Sequence, residues 1–255
     1  MKKKWWFKLF FKPDLYLKGL LISSIGIGAI TAIMLITFHY YGGHMDHETI
    51  PSAFHSILGI VLGLLLVFRT NTAYERWWKG REYLSHIETN YIYIKSKLDS
   101  NCVSTSKKQQ LLEIMVKALD RLEWFLVHDN DKKVKKEFID LIQELQNDDQ
   151  RYNYGIDLSL KELIDYFNAL ERIRDTPIPQ SYSMHIKVSI LMYFLTLPFG
   201  VLYVTGYWSI LLVMILYYVV AGIEIISNEI ENPFFGDPND LPVKKYIAHM
   251  KEHLQ

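Results

Sequence analysis

The chain is 255 residues long, half of them hydrophobic and 22% charged, and its 28 basic and 28 acidic side chains leave no formal net charge. Neutrality argues against nucleic acid as a partner, which needs a basic face to displace counterions from phosphate, and so apolar a composition is not that of a disordered chain. Cys102 is the single cysteine, so an internal disulfide and a cysteine-based zinc cage are both excluded and a cytosolic thiol without chemical role is expected.

Taken in chain order, the basic residues fall in three blocks, 2–18, 69–187 and 244–255, and the stretches between them are the apolar ones. A helix needs roughly 20 apolar residues to cross the hydrocarbon core. The first empty stretch holds two spans, 19–41 and 51–68, with Gly42 and Gly43 opening the loop between them. The second holds two more, 188–204 and 208–226, turning near Thr205 and Gly206. Cytoplasmic flanks carry the excess of Lys and Arg. The N-terminus, the 69–187 segment and the C-terminal 227–255 segment are therefore expected inside, and the two lysine- and arginine-free loops outside. The opening MKKKWW resembles a signal peptide, but the apolar run that follows is too long and lacks a small-x-small cleavage site, so the first span is read as retained.

The stretch VFRTNTAYERWWKGRE, residues 67–82, passes from apolar to charged without a turn signal, which implies one helix running out of the membrane into the cytosol. Ala73, Trp77, Leu84, Ile87 and Tyr91 continue an apolar stripe along it. Arg76, Trp77 and Trp78 fall at the inner headgroup region as a structural joint, where tryptophan is at home and where arginine beside two indoles invites cation–π packing. Further helices are expected at 107–127, with Leu111, Ile114, Met115, Leu119, Leu122 and Phe125 near helical spacing, at 132–146, and at 159–173 with Ser159 as N-cap. Strand alternation is not sustained anywhere. The fold class is thus all-α, a polytopic membrane protein of four transmembrane helices extended by cytosolic helices, read as a single domain over 1–255.

Within the second span, Gly59 and Gly63 form a small-xxx-small pair suited to close helix packing, and Ile60, Leu64 and Phe68 recur every four residues on one stripe. Such a stripe is either lipid or bundle contact or an apolar pore constriction. HMDHE at 44–48 could ligate a metal but is equally the content of a short exposed loop, and no metal is expected there. Glu224 near the inner end of the fourth span is expected to face protein or water, or to mark the helix leaving the membrane. A phosphate loop, HExxH and GxSxG are all missing, so the chain is not read as an enzyme and no cofactor is implied. A secondary transporter would show matched helix breaks in two repeats. Pro198 and Gly200 interrupt the third span without a counterpart in the second.

Three blocks carry a resemblance. FRTNTAYERWWKGR (68–81) closely resembles the signature of the bestrophin family, especially its bacterial members; TPIPQSY (176–182) resembles the family's Ile-Pro segment before the third span; and ENPFFGDPNDLP (231–242) resembles its Asn-Pro-Phe block after the fourth. The resemblance implies a homopentameric channel in the lipid bilayer with one pore on the five-fold axis, passing small monovalent ions. By position it assigns the apolar neck to Ile60, Leu64 and Phe68 and the cytosolic aperture to Ile178. Animal members bind calcium after the Asn-Pro-Phe block. This chain offers Asp237 and Asp240 there, two carboxylates against the six to eight oxygens calcium takes, in a sequence that is equally a turn. The family label implies an anion (chloride) channel of a cell membrane with both termini cytoplasmic, in a prokaryotic plasma membrane by the style of its motifs and the lack of a long C-terminal tail. A sodium-selective channel of the same architecture and a non-conducting membrane scaffold are the alternatives.

Overall fold

A computed structural model describes residues 15–41, 52–100, 105–128, 132–146, 156–234 and 239–254. Among these the chain is all-α, with eight helices and no strand: α1 (Leu15–Tyr41), α2 (Ser52–Ser100), α3 (Thr105–Val127), α4 (Lys132–Gln146), α5 (Asp157–Asp175), α6 (Gln180–Thr205), α7 (Trp208–Glu231) and α8 (Val243–Leu254). Four stretches are long and apolar enough to cross a membrane, within Lys18–Thr37, Ala53–Ser100, Asp157–Val201 and Trp208–Glu231. These overlap the four apolar runs expected from the sequence. The helices gather into two compact units, the first from Met1–Thr72 with Ile178–Asn228, the second from Ala73–Pro177 with Glu229–Gln255.

The first unit is apolar, and serine and threonine hydroxyls along its helices donate to carbonyls one turn back, as a medium without water favours. Ser24 Oγ donates to the Leu20 carbonyl at 2.7 Å and Thr31 Oγ1 to the Ile27 carbonyl at 2.9 Å, one turn back along α1. Its core joins Ile27, Leu62, Leu66, Ile186, Ile190, Phe194, Leu197 and Val213. Pro198 lies inside α6, where proline cannot donate to the carbonyl four residues back. The helix nonetheless continues to Thr205, with Thr196 Oγ1 donating to the carbonyls of Met192 and Tyr193 at 2.9 and 3.1 Å. Gly206 then takes φ +54°, a left-handed conformation that costs glycine little, and the chain turns into α7. Helix α6 begins at Gln180, ahead of the apolar run that opens at 188. Pro179 comes just before its first residue and its carbonyl accepts from Tyr182 N at 2.9 Å.

The second unit has a conventional buried core. Leu84, Ile87, Tyr91, Ile94 and Leu98 of α2 pack with Leu111, Met115, Leu119, Leu122 and Phe125 of α3, and with α4, α5 and α8. Phe167 stands at its centre, with ring centroids 4.6 Å from Phe125 and 4.4 Å from Phe138. Helices α3, α4, α5 and α8 are amphipathic at a period of 3.6, which drives the packing. The expected cap at Ser159 does not form. Helix α5 starts at Asp157 after Ile156, without a side-chain cap, and Ser159 is buried one turn inside. Burial of Ile156 in the core fixes the helix start, and the Asp157 carboxylate complements the positive end of the helix dipole.

Candidate pore face and the arginine joint

Helix α2 contributes to its own unit with one narrow seam. His55, Leu62, Leu66 and Arg69 are all buried there. At about 100° per residue they fall within an arc of roughly 60°. Ile60, Leu64 and Phe68 project roughly 180° away from that seam by the same arithmetic. In the single chain they are 72%, 54% and 55% exposed, respectively. Gly59 approaches α6 closely: a Cβ added there would lie 2.9 Å from Tyr193 Oη. Gly63 faces open space among the described residues.

The seam becomes polar toward residue 70. Thr70 Oγ1 and Ser227 Oγ share a hydrogen bond of 2.7 Å, and Arg69 Nη2 approaches Asn228 Oδ1 at 3.5 Å with its guanidinium fully buried. Glu224, buried on α7, forms an ion pair with Lys187 of α6 at 3.6 Å. A buried acid is stabilised by such a partner, where an unpaired carboxylate would be costly. At the other end of the seam, the His55 ring packs against Tyr193 and against Gly200, where an added Cβ would stand 2.9 Å from His55 Nδ1.

In the second unit, Arg76 departs from the expected indole stacking. Its guanidinium donates to three backbone carbonyls: Ile173 at 2.5 Å, Thr176 at 2.7 Å and Glu231 at 3.1 Å. Those carbonyls close the C-terminal ends of α5 and α7, where the last four C=O groups of any helix lack intrahelical donors and where the dipole favours a cation. A planar fork with five N–H donors serves several acceptors at once, which two indole faces cannot exploit. Burial lowers the Arg76 pKa and the Glu231 charge partly restores it. Trp77 is turned to a different use: its Nε1 donates to the Asn239 carbonyl at 3.0 Å, and Asn239 Nδ2 donates to Glu229 Oε2 at 2.7 Å. The cation over Trp78 is Arg81, 5.3 Å from the ring centroid, and Tyr74 stacks on both indoles.

Ile178 is half-buried in the short connection between α5 and α6. Asp240 is described and Asp237 lies outside the described residues, as does the HMDHE loop. Asn239 between the two acids is already committed, with its amide on Glu229 and its carbonyl on Trp77, so the visible part of this turn is held by protein contacts. The carbonyl cluster around Arg76 escaped the sequence reading. Its only sequence signal is an arginine at a point where the apolar stripe demands a buried side chain.

All-α among its described residues, with four helices long and apolar enough to cross a membrane, the chain has the character of a polytopic membrane protein. The family model described as Bacterial/Fungal Bestrophin protein matches residues 1–122 and 131–255, and the chain belongs to the bestrophin family. It is 30% identical to a voltage-dependent anion channel-forming protein of Nostoc sp., over 99% of this chain and 91% of that one. It is likewise 30% identical to one of Synechocystis sp., covering 81% and 78% of the two chains. Among solved structures, a single-residue variant of a bacterial bestrophin homologue from Klebsiella pneumoniae superposes with a TM-score of 0.80 at 18% identity. That match covers 92% of this chain and 97% of the other, and at such identity it speaks for the fold alone.

Proposed function

We propose that the chain is one subunit of a homopentameric channel that passes small monovalent ions across the cell membrane, with both termini in the cytoplasm. Five copies of α2 surround the axis and present Ile60, Leu64 and Phe68 as an apolar neck, Gly63 packs against a neighbouring subunit, and Ile178 narrows the cytosolic exit. The observation that carries this reading is the exposed apolar stripe of α2, set opposite the seam by which the helix holds to its own chain. Among the described residues of one chain nothing covers that stripe, and five copies around an axis convert it into a constriction that gates by dewetting.

An apolar neck supplies no charge with which to sort ions, so selectivity comes from vestibule charge and the ease of dehydration. The relatives are named as voltage-dependent anion channel-forming proteins, and an anion, chloride in the simplest case, is accordingly the proposed permeant ion. Recording the purified protein in a planar bilayer under a tenfold NaCl gradient tests both points. A reversal potential near the chloride Nernst limit supports the reading. One near the sodium limit replaces the anion with a cation while keeping the architecture. Silence from inserted, pentameric protein over a full voltage range would instead favour a non-conducting scaffold.

A further inference from the structure

Helix α8 carries His249 and His253 one turn apart, and both face Glu88 of α2. The Glu88 Oε1 atom lies 2.8 Å from His249 Nδ1 and 3.9 Å from His253 Nε2. Ligand atoms of all three side chains lie within 4.8 Å of one another. Both imidazoles are exposed and Glu88 is half-buried, so the cluster is open to solvent on one side.

We propose that Glu88, His249 and His253 form a binding site for a divalent first-row metal ion of the zinc type. Zinc takes imidazole nitrogen and carboxylate oxygen at about 2.0–2.2 Å in tetrahedral geometry, which sets ligand atoms roughly 3.3 Å apart. The two distances to Glu88 bracket that edge and the third pair lies within 4.8 Å, so side-chain rotations that move the ligand atoms by up to about 1.5 Å bring them onto one ion. The imidazole rings stand at 84° to each other with centroids 4.5 Å apart, so they flank a common point and are not stacked face to face. Two imidazoles and one carboxylate suit zinc, nickel or copper and not calcium or magnesium, which require more oxygens. Three protein ligands leave a fourth position for water.

The surroundings hold the three groups in register. Ile247, Met250 and Leu254 of α8 are buried in the same core as Ile87 and Tyr91, the α2 residues that bracket Glu88. Lys95 Nζ donates to the His253 carbonyl at 2.6 Å and pins the end of α8. The two histidines sit in the last two turns of α8, where the negative end of the helix dipole favours a cation. Lys251, the nearby base on α8, is engaged by Asp120 and Glu123 of α3 and directs its charge to them. Bound metal would cross-link α8 to α2, replacing the Glu88–His249 hydrogen bond with a stronger tie.

The test is titration of the full-length, tag-free protein in detergent with ZnCl2, read by calorimetry, and with CoCl2, read by the visible absorption of tetrahedral cobalt. One ion per chain and intense cobalt bands are expected. His249→Gln, His253→Gln and Glu88→Gln should each weaken binding by more than the roughly 10–100-fold that loss of a ligand's supporting hydrogen bond costs. Circular dichroism and elution volume check that each exposed-site variant is folded and assembled. His44→Gln with His47→Gln, in the other histidine cluster, should leave binding unchanged. The assignment is overturned if wild-type protein takes up neither metal, if the α8 variants bind as wild type does, or if the 44/47 variant alone abolishes binding. None of these readouts depends on channel activity.

Discussion

Replacing Arg76 with alanine removes three hydrogen bonds from a charged donor and strips the C-terminal carbonyls of α5 and α7 of their shared cap. A hydrogen bond to a charged group contributes about 1.5–3 kcal/mol net when buried. Arg76 is partly exposed and water can take over part of its work, so three bonds discount to a loss of about 3–5 kcal/mol. At about 2–4 °C per kcal/mol for a chain of this size, the midpoint of thermal unfolding in detergent should fall by roughly 6–20 °C. Arg76→Lys keeps the charge but loses the fork, and should recover less than half of the loss. Trp78→Leu, by contrast, should leave the midpoint close to wild type, because the Trp78 ring is paired with Arg81. The measurement is a thermal melt followed by circular dichroism on all three variants. A melt of Arg76→Ala within about 2 °C of wild type would refute the capping role, because it would leave less than about 1 kcal/mol for all three bonds. Full rescue by lysine would show that charge alone matters.

Combining Leu64→Ala with Phe68→Ala should raise single-channel conductance by widening and wetting the neck; unchanged conductance would remove the stripe from the pore. Gly80→Ala places a Cβ 3.1 Å from Phe234 Cζ and 3.3 Å from Leu241 Cδ1, inside the core of the second unit. Overpacking should outweigh the gain in helix propensity and cost about 1 kcal/mol, measurable in a denaturant melt. Gly63→Leu meets open space among the described residues of its own chain, so the subunit should fold while the proposed pentamer is lost on size-exclusion chromatography; an intact pentamer would place Gly63 away from subunit contacts. Millimolar calcium should leave both the melting temperature and the reversal potential unchanged, and a shift in either would support Asp237 and Asp240 as ligands.

Much of the architecture was legible because membrane insertion writes long, local signals. Four apolar runs without a lysine or arginine stand out along the chain, and the structure has four stretches of that length and character. A glycine where the third and fourth runs meet anticipated a turn, and the left-handed φ of Gly206 requires that residue type. The stripe of Ile60, Leu64 and Phe68 was visible from its period alone, though its position opposite the buried seam was not. Local pattern misplaced the start of α5, because burial of Ile156 decided it over the capping preference of Ser159. It also paired Arg76 with its sequence neighbours Trp77 and Trp78, when its acceptors are 97 to 155 residues away. Glu88 and the two histidines of α8 lie 161 or more residues apart and come together only when α8 packs on α2. Hydropathy and period belong to a segment and can be read there. The partner of a charged side chain belongs to the packing of helices distant in sequence, and only the tertiary structure decides it.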